Sequence, residues 1–410
     1  MSAWPARRME ELCEITSSKR IFAADYVSAG VPFYRGKEIT EKYKGNLDVS
    51  TELFISEEKF IEIERKFGSP VEGDLLLTSV GTLGSPYVVR ADERFYFKDG
   101  NLTWFRKFKE LDSHFLYYWL ASPKGKEELK KCTIGSSQSA FTIVLLKGME
   151  IQLPPLPTQK RISGILFAYD ELIENNQRRI KILEEMARTL YREWFVHFRF
   201  PGHDEVSLVK STIGDIPKGW GVKRVPECID VNPRVVIPRD GEKPFVPMGC
   251  LANDSMLITD IGCRSGNSGS KFQNGDTLFA RITPCLENGK TGFVQFLPDA
   301  QAVAFGSTEF IVLRSRTLTS EFVYLLARSD EFRGNAIKSM SGASGRQRVQ
   351  ERCFDDFKIA HPPRELLDQF SAIVSPIFSM IQKLRLQIAN LRRTRDLLLP
   401  RLLSGQVTIS

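Results

Sequence analysis

Few residues of this 410-residue chain are spaced for covalent chemistry. An Asn/Asp-Pro-Pro-aromatic motif usually grips the base when S-adenosylmethionine methylates an adenine amino group. The nearest match, Asn232-Pro233-Arg234, is wrong at its third position and reads as a turn. No Gly-x-x-x-x-Gly-Lys-Ser/Thr loop is present to cradle the phosphates of a translocating ATPase. His114, His197, His203 and His361 are too scattered for a metal cage; His197 and His203 flank Pro201-Gly202 and read as linker surface. No serine sits in a nucleophile elbow. Cys13, Cys132, Cys228, Cys250, Cys263, Cys285 and Cys353 stand singly, with no zinc-ribbon or redox spacing, which fits a reducing cytoplasm. The expectation is no catalytic residue and no metal ligand. The balance of 57 Lys and Arg against 50 Asp and Glu, +7, suits a polyanion but is shared by many housekeeping enzymes.

A composition of 42% apolar and 26% charged residues describes a globular chain long enough for two or three cores. No run approaches the ~18 uninterrupted apolar residues of a membrane span, and Met1–Glu10 is no signal peptide. The chain also matches itself. Trp4, Met9 and Leu12 return as Trp220, Val225 and Cys228, and Gly73-Asp74 returns as Gly275-Asp276. Residues 101–122 line up with 308–329 without a gap, each an apolar strand-like stretch leading into a helix. A Gly/Ser/Gln-rich loop follows in both copies, at 135–139 and 344–348. Then Pro154-Pro155 and Pro362-Pro363 each open a long helical segment. A period near half the chain means two large domains rather than a solenoid.

The long segments carry a 3.5-residue apolar period over four heptads, the coiled-coil signature. The first seam runs Ile162, Leu166, Tyr169, Ile173, Asn176, Ile180, Leu183, Ala187, Leu190, Trp194. The second runs Phe370, Val374, Ile377, Ile381, Leu384, Ile388, Leu391, Arg395, Leu398, Leu402. Each stripe is too long for one small domain to bury, so each most simply buries the other, antiparallel. Two helices packed separately on their own domains is the alternative. The paired register sets Ile173 against Leu391, Leu183 against Ile381, Arg395 on the ring of Tyr169, and Asn176 opposite Ile388. Pro400 is expected to kink or end the second helix near Leu399. The expected fold is α+β: two similar α/β domains separated by a long antiparallel two-helix coiled coil, pseudo-twofold symmetric. Its divisions are a first domain at 1–157, a spacer helix at 158–200, a second domain at 201–363, and a second helix with tail at 364–410.

At this point the residues resemble a known family. Pro-Leu-Pro-Thr-Gln-Lys-Arg-Ile at 155–162, Tyr-Arg-Glu-Trp-Phe at 191–195, Gly-Asp-Ile-Pro-Lys-Gly-Trp at 214–220 and Leu-Leu-Leu-Pro-Arg-Leu-Leu-Ser-Gly at 397–405 look like the specificity subunit of type I restriction-modification systems. The likeness covers essentially the whole chain and its duplicated plan. It implies a non-catalytic reader of a bipartite, asymmetric DNA target. It also implies two methyltransferase (M) subunits and restriction/translocase (R) subunits as partners. S-adenosylmethionine, ATP and Mg then belong to those partners, and no cofactor to this chain.

On that resemblance, candidate DNA contacts in the first domain are Arg35, Lys37, Lys42, Lys44, Thr78, Ser79, Thr82, Ser136, Ser137 and Gln138. The matching places in the second are Arg264, Asn267, Arg281, Thr283, Arg346, Gln347 and Arg348. Lys and Arg can neutralise phosphates, while Arg suits guanine and Gln suits adenine at base edges. Tyr191, Trp194 and Phe195, with Arg392 and Arg393, are candidates for docking the methyltransferase subunit. Residues 364–410 hold seven Lys and Arg against three Asp and Glu, the most basic stretch. Two rival readings remain open: an autonomous DNA methyltransferase or nuclease, and a dimeric coiled-coil interaction protein unrelated to DNA. Binding of S-adenosylmethionine by the purified chain marks the first, and absence of salt-sensitive duplex binding marks the second.

Overall fold

The computed structural model describes residues 4–46, 49–135, 139–343 and 345–407. It divides into two compact units, Met1–Glu174 with Ala389–Ser410, and Asn175–Ile388. The two long helices, Leu156–Tyr191 and Arg364–Leu403, are each shared between the units.

The first unit holds two four-stranded sheets. One runs in the order Glu14–Thr16, Leu102–Arg106, Leu75–Thr78, Pro86–Val88, antiparallel throughout. Its central strands are covered on both faces, which is why they read as apolar runs rather than as an alternation. Leu75, Leu77 and Phe105 enter one cluster, while Leu76, Leu102 and Trp104 enter another. The second sheet runs Tyr26–Val27, Phe54–Ile55, Val31–Tyr34, Tyr96–Phe97, and only its last pair is parallel. Two helices, Ser113–Ala121 and Pro123–Lys131, follow the central strand. Asp112 caps the first by accepting from Phe115 N (2.8 Å), and Ser122 caps the second by accepting from Gly125 N (3.1 Å). Gly125 is obligatory, because a Cβ there would lie 1.9 Å from the Trp119 carbonyl oxygen.

The second unit repeats the first sheet and the two capped helices, while its second sheet places the outermost strand on the opposite edge. Its first sheet runs Ile229–Val231, Phe310–Ser315, Thr277–Ala280, Thr291–Phe293, and its second Gly262–Ser265, Glu242–Val246, Ala304–Gly306, Ser270–Phe272. Thr319 and Ser329 cap Ser320–Arg328 and Asp330–Lys338 as Asp112 and Ser122 do in the first unit.

The gapless match between the halves needs one correction. The helices do correspond residue for residue, but the strands before them do not. Leu75 pairs with Phe105 and Thr277 with Leu313, so Phe105 answers to Leu313 and not to Val312. A single-residue slip would exchange the two faces of a strand buried on both sides, so the loop absorbs the difference.

In the first unit the long helices run antiparallel. Ile162 and Leu166 share a core with Leu399 and Leu402, and one heptad further along the Arg395 guanidinium donates to Asp170. Arg395 thus bonds the carboxylate beside Tyr169 rather than lying on that ring. In the second unit Trp194 meets Phe370, ring centroids 5.8 Å apart, as the expected register requires. Asn176 and Ile388 are both buried there. Pro400 does not end the second helix, which continues to Leu403 with Leu402 buried. Standing in the last turn on an exposed face, this proline costs a single intrahelical bond. Among the described residues no helix is long and apolar enough to cross a membrane.

Candidate nucleic-acid interface

In each unit the strand Leu75–Thr78 or its counterpart Thr277–Ala280 ends in a loop that is held by a segment arriving after the two capped helices. In the first unit Phe141 N donates to the Ser79 carbonyl (3.0 Å) and Val80 bridges Ala140. This seats the hairpin of Thr133–Ile134 and Ala140–Phe141 against residues 79–82. In the second unit Val349 N donates to the Arg281 carbonyl (2.8 Å), Thr283 N to the Gln347 carbonyl (3.0 Å), and Ile282 bridges Arg348. In the second unit the structure therefore brings together the two segments that sequence alone could only nominate separately, and in the first it brings residues 79–80 to 140–141.

Their side chains divide into committed and uncommitted ones. Thr78 is fully buried and its hydroxyl accepts from Ser85 N (2.9 Å); Ser79, also buried, shares a 2.7 Å bond with the Thr103 hydroxyl. Both hold the strand end from inside rather than facing solvent. Lys42 is buried as well, its Nζ 2.5 Å from Glu93 Oε1 and 5.5 and 5.2 Å from the rings of Tyr34 and Tyr87. Arg35 donates to Glu38 Oε1 (3.1 Å), and Lys44, though exposed, pairs with Glu41 (2.8 Å). Lys37 and Thr82 are exposed, and Gly36 places Lys37's segment beside Val80. Ser136, Ser137 and Gln138 lie outside the described residues.

In the second unit Arg281 donates to Glu351 Oε1 (2.7 Å) and to the Val349 carbonyl (3.2 Å). Arg348 makes a fork on Glu309 at 2.7–3.1 Å, and this hydrogen bonding holds the Glu309 carboxyl below its usual range. Both guanidinium groups are thereby matched by a carboxylate. Arg346 is exposed, with Gln347 and Thr283 half-buried beside it. Arg264 and Asn267 stand elsewhere, on a cleft whose lining includes Arg239, Phe245 and Thr308.

The aromatic residues that end the first long helix turn inward. After Tyr191 the helix widens into a π turn, Arg192–Val196, and its rings enter a cluster within the second unit. Phe195 lies 4.8 Å from both Phe322 and Phe370 and 6.0 Å from Trp220, while Tyr191 lies 5.1 Å from Phe322. Tyr191, Trp194 and Phe195 are therefore core residues, and burial pushes the Tyr191 phenol up. Arg392 and Arg393 are exposed on the part of the second helix that belongs to the first unit.

Several anchoring residues carried no sequence signal of their role. Glu184, on the first long helix, accepts from the Ser255 hydroxyl (2.7 Å) and Met256 N (2.8 Å), and burial pushes its carboxyl up. Asp170 accepts from the Tyr118 hydroxyl (2.6 Å). The repeated Gly-Asp pairs are visible in the sequence, but not that Asp74 receives Trp104 Nε1 (2.8 Å) while Asp276 receives both arms of Arg314 (2.7 Å each).

Residues 1–185 match the type I restriction modification DNA specificity domain. The chain is 24% identical to the type I restriction enzyme MjaIX specificity subunit of Methanocaldococcus jannaschii, over 99% of this chain and 94% of that one. It is also 24% identical to the MjaVIII specificity subunit of the same organism, over 86% and 83%. The crystal structure of a type I restriction-modification S subunit from M. genitalium shares the fold, with a TM-score of 0.59 at 15% identity over 97% of this chain and 96% of that one. Residues 1–185 thus resemble the type I restriction modification DNA specificity domain, and the chain along its length is similar to the specificity subunits of type I restriction enzymes.

Proposed function

We propose that this chain is the DNA-reading subunit of a type I restriction-modification complex, recognising a bipartite, asymmetric target with one half-site per unit. The observation that carries this is the repeated pairing of a strand-end loop with a later segment. The sheet that carries the loop has the same strand order in both units and the same loop anchoring, yet different side chains at the exposed positions. Equal scaffolds with unequal surfaces suit two different half-sites. The division into recognition domains at 1–157 and 201–363 and helices at 158–200 and 364–410 belongs to this proposal.

Within it, exposure and pairing sort the contact residues. Among the described residues Lys37 and Thr82 serve the first half-site, with Ser136, Ser137 and Gln138 proposed beside them, and Lys44 stays paired with Glu41; Arg264, Asn267, Thr283, Arg346 and Gln347 serve the second. Arg281 and Arg348, each matched by a carboxylate, position their loops. Two methyltransferase subunits dock on the chain, with Arg392 and Arg393 at one such contact, and restriction subunits complete the complex. S-adenosylmethionine, ATP and Mg act in those partners, in the cytoplasm.

The test is to co-express the chain with its methyltransferase partner in a host free of adenine methylation and to sequence the modified bases. Two short, different base runs separated by unread positions are the expected outcome. A continuous or palindromic motif, or no methylation from an assembled complex, overturns the proposal.

A further inference from the structure

We infer that Arg264 reads a guanine in the half-site served by the second unit, an inference that rests on the reading just proposed. Arg264 lies on the edge strand Gly262–Ser265, whose neighbour Glu242–Val246 pairs Lys243 with Arg264 and Phe245 with Gly262. Gly262 has no side chain to cover Phe245, and the Arg264 guanidinium takes that place, 5.1 Å from the ring centroid. The Phe245 ring is backed in turn by Phe305, 5.1 Å away. A guanidinium held against a ring by its face keeps its N–H donors free for a ligand.

Three observations make these donors available to a ligand. First, among the described residues no carboxylate lies within ion-pair distance of Arg264, whereas Arg281, Arg314 and Arg348 of the same unit are paired with Glu351, Asp276 and Glu309. Second, Arg264 borders open space: it lines a cleft together with Phe245, Asn267, Gly306 and Thr308. Third, the rim is fixed: Gly266 N donates to the Arg239 carbonyl (3.2 Å), and Lys243 Nζ is spent on the carbonyls of Asp240 (2.6 Å) and Gly241 (2.8 Å). Lys243 is thereby removed as a competing cation while Arg264 stays uncommitted.

A loosely held cation is enough for a phosphate. A planar fork with a fixed orientation is what the O6 and N7 acceptors of guanine demand in the major groove. The first unit has Phe54–Ile55 beside the matching strand and no arginine in that place, so the effect belongs to one half-site only.

The experiment compares the assembled methyltransferase complexes of wild type, Arg264→Ala and Arg264→Lys by sequencing methylated host DNA and by titrating duplexes carrying the wild-type motif. One guanine position in one half-site is expected to become degenerate in both variants, with affinity for the guanine-bearing duplex down about tenfold to a hundredfold. The lysine variant matters because it keeps the charge and loses the fork. An unchanged motif in Arg264→Ala overturns the inference, as does full recovery by lysine or an equal loss on every sequence, both of which mark a phosphate contact. A wild-type complex with no bipartite motif overturns the underlying reading too, and does so before any variant is made.

Discussion

At the scale of single residues, the titrating group most closely tied to strand pairing is His361. It ends the strand Lys358–His361, and its Nε2 lies 2.9 Å from the Thr317 hydroxyl, joining that strand to the turn before Ser320–Arg328. Burial first, and Lys223 second, hold its imidazole below the ordinary range. The unfolded chain therefore takes up this proton before the folded one. Stability is fully present above the ordinary imidazole pKa and is lost as the pH falls from there through the lower folded-state value. Thermal unfolding of the full chain at pH 7.5 and pH 5.5 should show a smaller acid-induced drop for His361→Gln than for wild type, since the amide keeps a partner for Thr317 without titrating. Equal drops would remove His361 from the account. Residue roles of this kind were poorly legible beforehand. Arg348, Arg281 and Lys42 look like phosphate contacts by type, and only the distant carboxylates of Glu309, Glu351 and Glu93 reveal that their charge is already spent.

Elements were easier to read, because period and capping are local. The seam positions Ile162, Leu166, Ile173, Ile180, Ala187 and Trp194 are all buried, as are Phe370, Val374, Ile381, Leu384 and Ile388. What the period could not supply was partners. Phe195 follows the seam immediately, and its neighbours Trp220, Phe322 and Phe370 come from three other stretches of chain. Truncating it leaves a hole among rings that cannot collapse together. Phe195→Ala is therefore expected to destabilise the second unit by about 3–5 kcal/mol, measured by denaturant unfolding of the full chain. A loss under about 1 kcal/mol, with defective assembly instead, would return Phe195 to the docking surface. The displaced strand match has a similar origin, since pairing across a sheet leaves no trace in a linear alignment.

For the molecule as a whole, the duplication was the most legible feature, because order among several weak matches is information that no single match holds. Its functional reading makes the shared helices the determinant of spacing. Seven residues inserted between Glu174 and Asn175, together with seven between Ile388 and Ala389, add about 10 Å of helix, or about three base pairs. The methylated motif is expected to gain unread positions in the middle while both base runs stay the same. An unaltered spacer, or a change in either run, would contradict that role.

The division of the chain also sets an order of assembly. Residues 175–388 form a contiguous stretch, so the second unit has all its parts once that stretch has been made. The first unit waits: Leu399 and Leu402 fill its core beside Ile162 and Leu166, and Trp4 lies against Gly405. The half that leaves the ribosome earlier is thus the half that closes later. Until then it shows an unfilled apolar groove to whatever chaperone or partner reaches it first.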